Sequence, residues 1–394
     1  MMHLSCDVLI AGGGVAGIAA AVRAARDGAH TILAEINGFP GGTAVNCMHR
    51  YICGLYPSGP VHAGGTLNGG IADRICAELE NLAPGTKPVK MGKVSLFPFT
   101  TGNLIKTLRL LSEKQAGLDL LYETEIVAVK VQNGRIRNIF ARKNNGEIQI
   151  SPQAVIDCSG DGTVIRLSGA AYDISSPDER QLAGFCFKIK GIEDLNDMTP
   201  VSVPYYISQA AAEKKIPFYL KYARFYQGDV ADEGYCLISI PPGDSPERIN
   251  EAKKYAAAVH GILADSIDSF RNSHIMEMSS RIAERDGIRI TGEYTLTEED
   301  VLSARKFHDG VVKSAWPVEL WDREKGPTYR YLEPGAWYEI PLRCLKSRDI
   351  KNLYCAGRCI SASREALGST RVMGTCISLG EQAGLVAVKN LNLL

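Results

Sequence analysis

Asp7-Val-Leu-Ile-Ala-Gly-Gly-Gly-Val-Ala-Gly17, continued by His30-Thr-Ile-Leu-Ala-Glu35, is the stretch that decides the fold. Val8 to Ala11 form an apolar run of the kind a strand buried in a parallel sheet requires. Gly12, Gly14 and Gly17 then fall at G-x-G-x-x-G spacing. The first permits a tight bend, the second lets the backbone approach a pyrophosphate, and the third lets helix and strand pack closely. Ala16 to Gly28 read as the helix that follows, and its first N–H groups, from Val15 onward, face the phosphates with the positive end of the helix dipole. His30 to Glu35 read as the second strand. Glu35 stands 18 residues after Gly17, where a carboxylate accepts ribose hydroxyls and repels a 2′-phosphate. Strand, turn, helix, strand and acid in this order predict an adenine-dinucleotide site.

Charge and composition narrow the partners. The 394 residues carry 44 Lys+Arg against 44 Asp+Glu, a net charge of zero, so no long-range field draws the chain to nucleic acid or an anionic membrane. The apolar run Val8–Val22 follows Asp7, lacks a basic leader and contains Gly12 and Gly14, so it does not read as a signal segment. No run approaches the ~18 apolar residues of a membrane span. A soluble, cytoplasmic protein is expected. Its eleven cysteines form no C-x-x-C pair, so no metal or iron–sulfur site is expected. Cys158 and Cys355 lie inside apolar strands, where a reduced thiol acts as a small hydrophobe.

Outward from the first unit, Gly38-Phe-Pro-Gly-Gly-Thr43 is a glycine-rich loop. Helices are expected at 69–82 and 102–116, then strands at 118–122, 125–132, 136–143, 147–151 and 154–157. The turns at Asn133-Gly134 and Asn145-Gly146 make this a meander. From about residue 171 the parallel pattern gives way to clustered tyrosines and phenylalanines, a long amphipathic helix at 246–270, and a capping box at Thr297/Asp300. The C-terminal block returns to the opening style. Asn352–Ala356 is a short strand running into Gly357-Arg358, and Thr370–Leu391 is expected to form one Gly/Ala/Cys-rich helix, which must bury itself against something flat.

These three blocks resemble the FAD-dependent oxidoreductases of the glutathione-reductase-like flavoprotein class, related to the fumarate reductase and succinate dehydrogenase flavoproteins. The resemblance is carried by Asp7–Glu35, Gly41-Gly42-Thr43, Ala154–Gly162, Arg281–Asp300 and Tyr338–Gly384. It implies an α/β fold: a Rossmann-like FAD-binding domain built from both chain ends, 1–170 and 340–394, with an inserted α+β substrate domain at 171–339. It also implies noncovalent FAD. Gly12, Gly14, Val15, Ala16, Gly17 and Glu35 would hold the ADP half, Val127 would meet adenine through its backbone, and Gly41, Gly42 and Thr43 would fold over the cofactor. Ser159, Gly160 and Asp161 would flank the pyrophosphate. Gly357 and Arg358 would approach the ribityl chain, and the helix start at Thr370, Val372, Met373 and Thr375 would face flavin N1 and C2=O.

For substrate chemistry the resemblance singles out Arg371, in Gly368-Ser-Thr-Arg371, as a carboxylate grip; a guanidinium suits that task by its bidentate fork. Arg281, Arg285 and Arg289 recur every four residues, which reads as a solvated charged face from which Arg281 could reach substrate. His49, His62 and His308 are candidate proton carriers because imidazole titrates near neutrality. Tyr338 could line the flavin pocket. His49, Cys47 and Cys53 are the only covalent-attachment candidates by location. No second dinucleotide motif and no dithiol are present. The expected reaction is therefore hydride transfer between flavin N5 and a small polar substrate able to carry a carboxylate, with an unidentified electron acceptor. A homo-oligomer is compatible with the sequence. The alternatives are a fumarate-reductase-like alkene reductase, a non-catalytic FAD-holding subunit of an electron-transfer complex, and a thiazole-synthase-like binder of an adenine dinucleotide.

Overall fold

The apolar run at the N-terminus extends into a ten-residue strand, β1 (Met2–Ala11), in which Val8, Leu9 and Ile10 have no accessible surface. The computed structural model describes residues 1–59, 65–144 and 146–393. After β1 come α1 (Val15–Arg26), β2 (Thr31–Ala34), α2 (Ile71–Leu82), α3 (Thr101–Glu113), β3 (Leu118–Leu121), β4 (Thr124–Gln132), β5 (Arg135–Lys143), β6 (Gly146–Asp157) and α4 (Thr163–Ser168). The central stretch holds β7 (Ala183–Lys190), α5 (Thr199–Ala212), β8 (Arg224–Gln227), β9 (Glu233–Ile240), α6 (Arg248–Ser266), β10 (His274–Met278), β11 (Val318–Asp322) and β12 (Gly326–Arg330). The chain closes with β13 (Leu353–Cys355), α7 (Arg364–Thr370) and α8 (Met373–Lys389).

A seven-stranded sheet runs β3-β2-β1-β6-β5-β4, with β13 also paired to β6. Its β3, β2, β1, β6 and β13 contacts are parallel, and the β4–β5–β6 meander is antiparallel. The strand β6 is continuous where two strands were expected. Its first half pairs with β5 as far as Ile139↔Ile150, and its second half pairs with β13 from Leu353↔Val155. Pro152 falls in the gap between those ladders, a place where a strand tolerates proline. The C-terminal strand thus takes the position that the meander vacates, which joins the two chain ends in one sheet.

The expected single helix 370–391 is broken. Helix α7 ends at Thr370, Arg371 closes it, and Val372 is extended (φ −72°, ψ 149°) before α8 begins. The flat surface that α8 requires is α1. A Cβ on Gly380 would overlap the Ala16 carbonyl, and one on Gly384 would lie 2.5 Å from the Ala20 oxygen. Small residues on both helices allow this approach. Glu381, in the same stripe, is buried; it accepts the Ile71 N–H at 2.8 Å at the start of α2 and faces Arg23 at 3.6 Å and Arg26 at 3.5 Å.

The apolar packing divides the chain at narrower limits than 171–339. A separate core lies between Ala183 and Phe270, formed by the antiparallel sheet β8-β9-β7-β10 with α5 and α6. Ile288, Leu296, Val312, Val318 and Tyr338 instead belong to the main core. All eleven cysteines are free thiols. Among the described residues no helix is long and apolar enough to cross a membrane.

Candidate active site

The first turn of α1 is a cradle that only glycine can form. Gly12 has φ +98°, and a Cβ there would lie 2.7 Å from the Cys158 oxygen; a Cβ on Gly42 would lie 3.0 Å from Gly14 Cα. The N-cap of α1 is Gly14, with no side chain bonded to the first-turn N–H groups and no acid among them. Such an end is built for an anion. Gly41 pairs with Gly14 as an isolated bridge, and its N–H donates to the Gly13 oxygen at 2.9 Å, so the Gly41-Gly42-Thr43 loop is laid along the cradle. Thr43 remains exposed beside it.

Glu35 is buried just past β2. It accepts from Gly13 N at 2.5 Å, from Asn37 N at 2.8 Å and from the Asn37 side chain. A carboxylate offers about four lone-pair directions, so one stays free for a hydroxyl. A β-bulge between Ile126 and Ala128 leaves Val127 outside the β4–β5 ladder and exposed. That irregularity leaves backbone groups without ladder partners.

Asp157 is fully buried and accepts the N–H groups of Ser159, Val164 and Ile165, so the turn Cys158–Gly162 is fixed as the cap of α4. Arg358 bridges this turn to the central region. Its guanidinium donates to the Gly160 carbonyl at 2.8 Å, meets Asp161 at 2.5 Å and donates to the Glu284 carbonyl. Gly357, with φ +81°, lies against Ala16 at the start of α1.

Thr370 does not open the C-terminal helix; it is fully buried in the last turn of α7, and its hydroxyl has no partner. The true start of α8 is Val372-Met373-Gly374-Thr375. There Gly374 N donates to the Cys53 carbonyl at 2.8 Å and the Thr375 hydroxyl meets Ser314 at 3.1 Å. Tyr338 has no accessible surface and bonds Ser369 at 2.7 Å, so it braces the core under α7 and does not line a pocket.

Between this region and the β11–β12 hairpin a group of polar side chains converges, with His49, Arg285, Arg371 and Glu319 close enough to act on one another electrostatically. His49 keeps accessible surface, yet the surrounding protein strips enough hydration, together with Arg285 and Arg371, to pull its pKa down to about 4. Arg371 lies near His49. Its Nη2 donates to the main-chain oxygen of Glu319 at 3.1 Å, and its buried Nε has no partner.

Arg285 is buried and donates to the Leu182 carbonyl, with its guanidinium 3.9 Å from the Trp321 ring centre. Burial first, and then Arg371, lower its pKa to about 9. Arg224 lies 4.7 Å from the same ring and donates to Tyr329 at 2.6 Å. Neither Arg371 nor Arg285 has a carboxylate within salt-bridge distance among the described residues. The solvated face expected of the central arginines is therefore wrong for two of the three: Arg285 is buried against Trp321, and Arg289 is buried on Asp173 at 2.5 Å. Arg281 stays exposed on the Cys47 side. His308 is a surface side chain 3.7 Å from Asp309, and His62 lies outside the described residues. Sequence reading missed Glu319, Trp321, Arg224 and Tyr329. The alternation Glu319-Leu-Trp321 in β11, opposite Tyr329, was the available signal, because period two puts all three on one face.

The sequence profile of FAD-dependent oxidoreductases matches residues 7–392. The chain belongs to the FAD-dependent oxidoreductase family. The cradle, the Glu35 carboxylate and the Val127 bulge fit FAD, which is this oxidoreductase's cofactor. The chain is similar to 4-oxocyclohex-2-ene-1-carboxylate 5-dehydrogenase of Sinomonas cyclohexanicum, at 37% identity over 84 residues; the match spans 21% of this chain and 13% of that enzyme. Its fold is similar to that of a geranylgeranyl bacteriochlorophyll reductase-like protein of Thermoplasma acidophilum (TM-score 0.50, 13% identity, 99% of this chain and 79% of that one). The flavin-dependent brominase Bmp2, as a triple mutant, is similar too (TM-score 0.51, 14% identity, 98% and 81%). At these identities the likeness concerns the fold alone.

Proposed function

We propose that this FAD-dependent oxidoreductase exchanges a hydride with a small organic substrate that is held by its carboxylate between Arg371 and Arg285. The observation that carries the reading is the pair of largely buried guanidinium groups with no carboxylate within salt-bridge distance among the described residues, Arg371 Nε being without a partner. Keeping such charges out of water is costly unless an anion completes the site. A carboxylate meets the free N–H groups of Arg371 and Arg285 with charge-assisted bonds. The bound flavin supplies the hydride acceptor at N5. His49, neutral at pH 7 and near both arginines, takes the substrate proton. A deprotonated imidazole suits substrate oxidation, whereas alkene reduction of the fumarate reductase type needs a donor on that face. The position of Arg371 in Gly368-Ser-Thr-Arg371 and the partial match to an enzyme named for a carboxylate support the same choice. The start of α8 and the Gly357 turn would hold the flavin end, noncovalently, and electrons would leave to a separate acceptor.

The test is anaerobic bleaching of the flavin by a panel of carboxylic acids, repeated on Arg371→Gln and Arg285→Gln. Bleaching by a carboxylate, lost or shifted to at least tenfold higher concentration in both variants, is the expected result. Equal bleaching in all three proteins refutes the grip. A protein that no substrate bleaches is the passive FAD-holding subunit, and one purified colourless is the thiazole-synthase-like binder. Acid precipitation should leave the colour in the supernatant.

A further inference from the structure

We infer that Glu319 fixes the number of negative charges the substrate site accepts, because Trp316, Trp321 and Tyr329 hold its carboxylate away from the arginines it counterbalances. The inference rests on the carboxylate reading above and adds a specificity-determining residue to it.

The hairpin β11–β12 builds the cage. Glu319 lies directly opposite Tyr329 in the ladder, and Trp321 stands two residues further along the same face. The Trp316 indole N–H donates to Oε2 at 3.1 Å; the Trp321 indole donates to Oε1 at 2.8 Å, and Tyr329 donates to the same oxygen at 3.3 Å. All three donors are neutral, so they satisfy the carboxylate without discharging it. Burial works against that charge, but Arg371, the Trp321 bond, Arg285 and Arg224 outweigh it and keep Glu319 ionised. No arginine nitrogen comes within salt-bridge distance of this carboxylate among the described residues. Arg371 is instead anchored to the main-chain oxygen of the same residue, and Arg285 and Arg224 rest on the ring of Trp321, one of the cage donors. One hairpin therefore places the cations and restrains their counter-charge.

The charge count then points to a single substrate anion. Arg371, Arg285 and Arg224 surround Glu319, and Arg371 also feels Asp286, which is bound to the Gln181 backbone at 2.5 Å and to its side chain at 3.1 Å. Arg358 is matched by Asp161. One positive charge is left over, which suits a monocarboxylate. A second carboxylate on the substrate would meet the field of Glu319 in a poorly solvated space, where like charges repel strongly.

Calorimetric titration of the holoprotein with butyrate and succinate, equal in chain length and different by one charge, tests this. Wild type should bind butyrate more tightly than succinate, and Glu319→Gln should move the ratio of affinities toward succinate by at least tenfold. A ratio unchanged within twofold overturns the inference while leaving the carboxylate site intact. Binding of neither anion by wild type overturns both readings. Because the glutamine amide offers an N–H where an indole also donates, Glu319→Gln risks misfolding, so Trp316→Phe is the second variant. It frees Oε2 to reach Arg371 and should weaken butyrate at least fivefold; unchanged butyrate affinity overturns the inference independently.

Discussion

Gly380→Ala separates two opposite outcomes. In an exposed helix interior this change stabilises by about 1 kcal/mol, since alanine is the better helix former. Here the new methyl would overlap the Ala16 carbonyl oxygen and lie 2.7 Å from its carbon. Carbon atoms rest about 3.5–4.0 Å apart, so α8 and α1 must separate by roughly 1 Å. Overpacking of this kind costs about 1–3 kcal/mol. The displaced residue sits in the first turn of α1, next to the Gly14 cap. A shift of that size would weaken a bond between a first-turn N–H of α1 and a pyrophosphate held there. One charge-assisted bond lost is worth about 1.5–3 kcal/mol, or about 10- to 150-fold in FAD affinity. The assay is FAD binding to deflavinated protein, followed by flavin fluorescence quenching, alongside thermal melts. Gly384→Ala serves as the control: its methyl meets Ala20 one turn further from the cradle, so it should lower the melting temperature and leave FAD affinity within threefold. A Gly380→Ala protein that melts higher than wild type and binds FAD equally well would refute the reasoning.

Carboxylate affinity should be level at neutral pH and fall by up to tenfold per unit above pH 9, because Arg285, with its pKa lowered to about 9, grips an anion only while protonated; flat affinity to pH 10.5 would contradict this. His49→Gln should reduce kcat by about 10²–10⁴-fold at pH 7 while changing KM less than threefold, as loss of a proton acceptor does, measured by stopped-flow flavin reduction. Glu381→Gln removes the counter-charge to Arg23 and Arg26 and weakens the α2 cap, so a loss of about 1–3 kcal/mol in urea unfolding is expected. Tyr338→Phe, deep in the core, should leave substrate affinity unchanged and cost about 1 kcal/mol of stability for its bond to Ser369.

The dinucleotide half was legible because its residues are close in sequence and each has a local reason. Gly12 needs a positive φ, Gly17 leaves room for the Gly12 carbonyl, and Glu35 ends the strand beside them. The arginine cluster around Trp321 was not legible in the same way. Arg285 and Arg281 occupy equivalent places in a four-residue repeat, and only packing against Trp321 distinguishes the buried one from the exposed one. The break between α7 and α8 was hidden as well, since no proline marks it; Gly374 must reach the Cys53 carbonyl for the break to form.

The sequence by itself determined that the chain opens with a βαβ unit for an adenine dinucleotide, that both ends share one style, and that Arg371 is chemically suited to a carboxylate. Only the tertiary structure decided that β13 fills the place left by the meander, that α8 lies on α1 through Gly380 and Gly384, and that Arg285 and Glu319 lie close to Arg371. The reason is physical: turn and strand preferences act within a few residues and can be read along the chain. Which of several similar side chains loses its water depends on what a distant segment places against it.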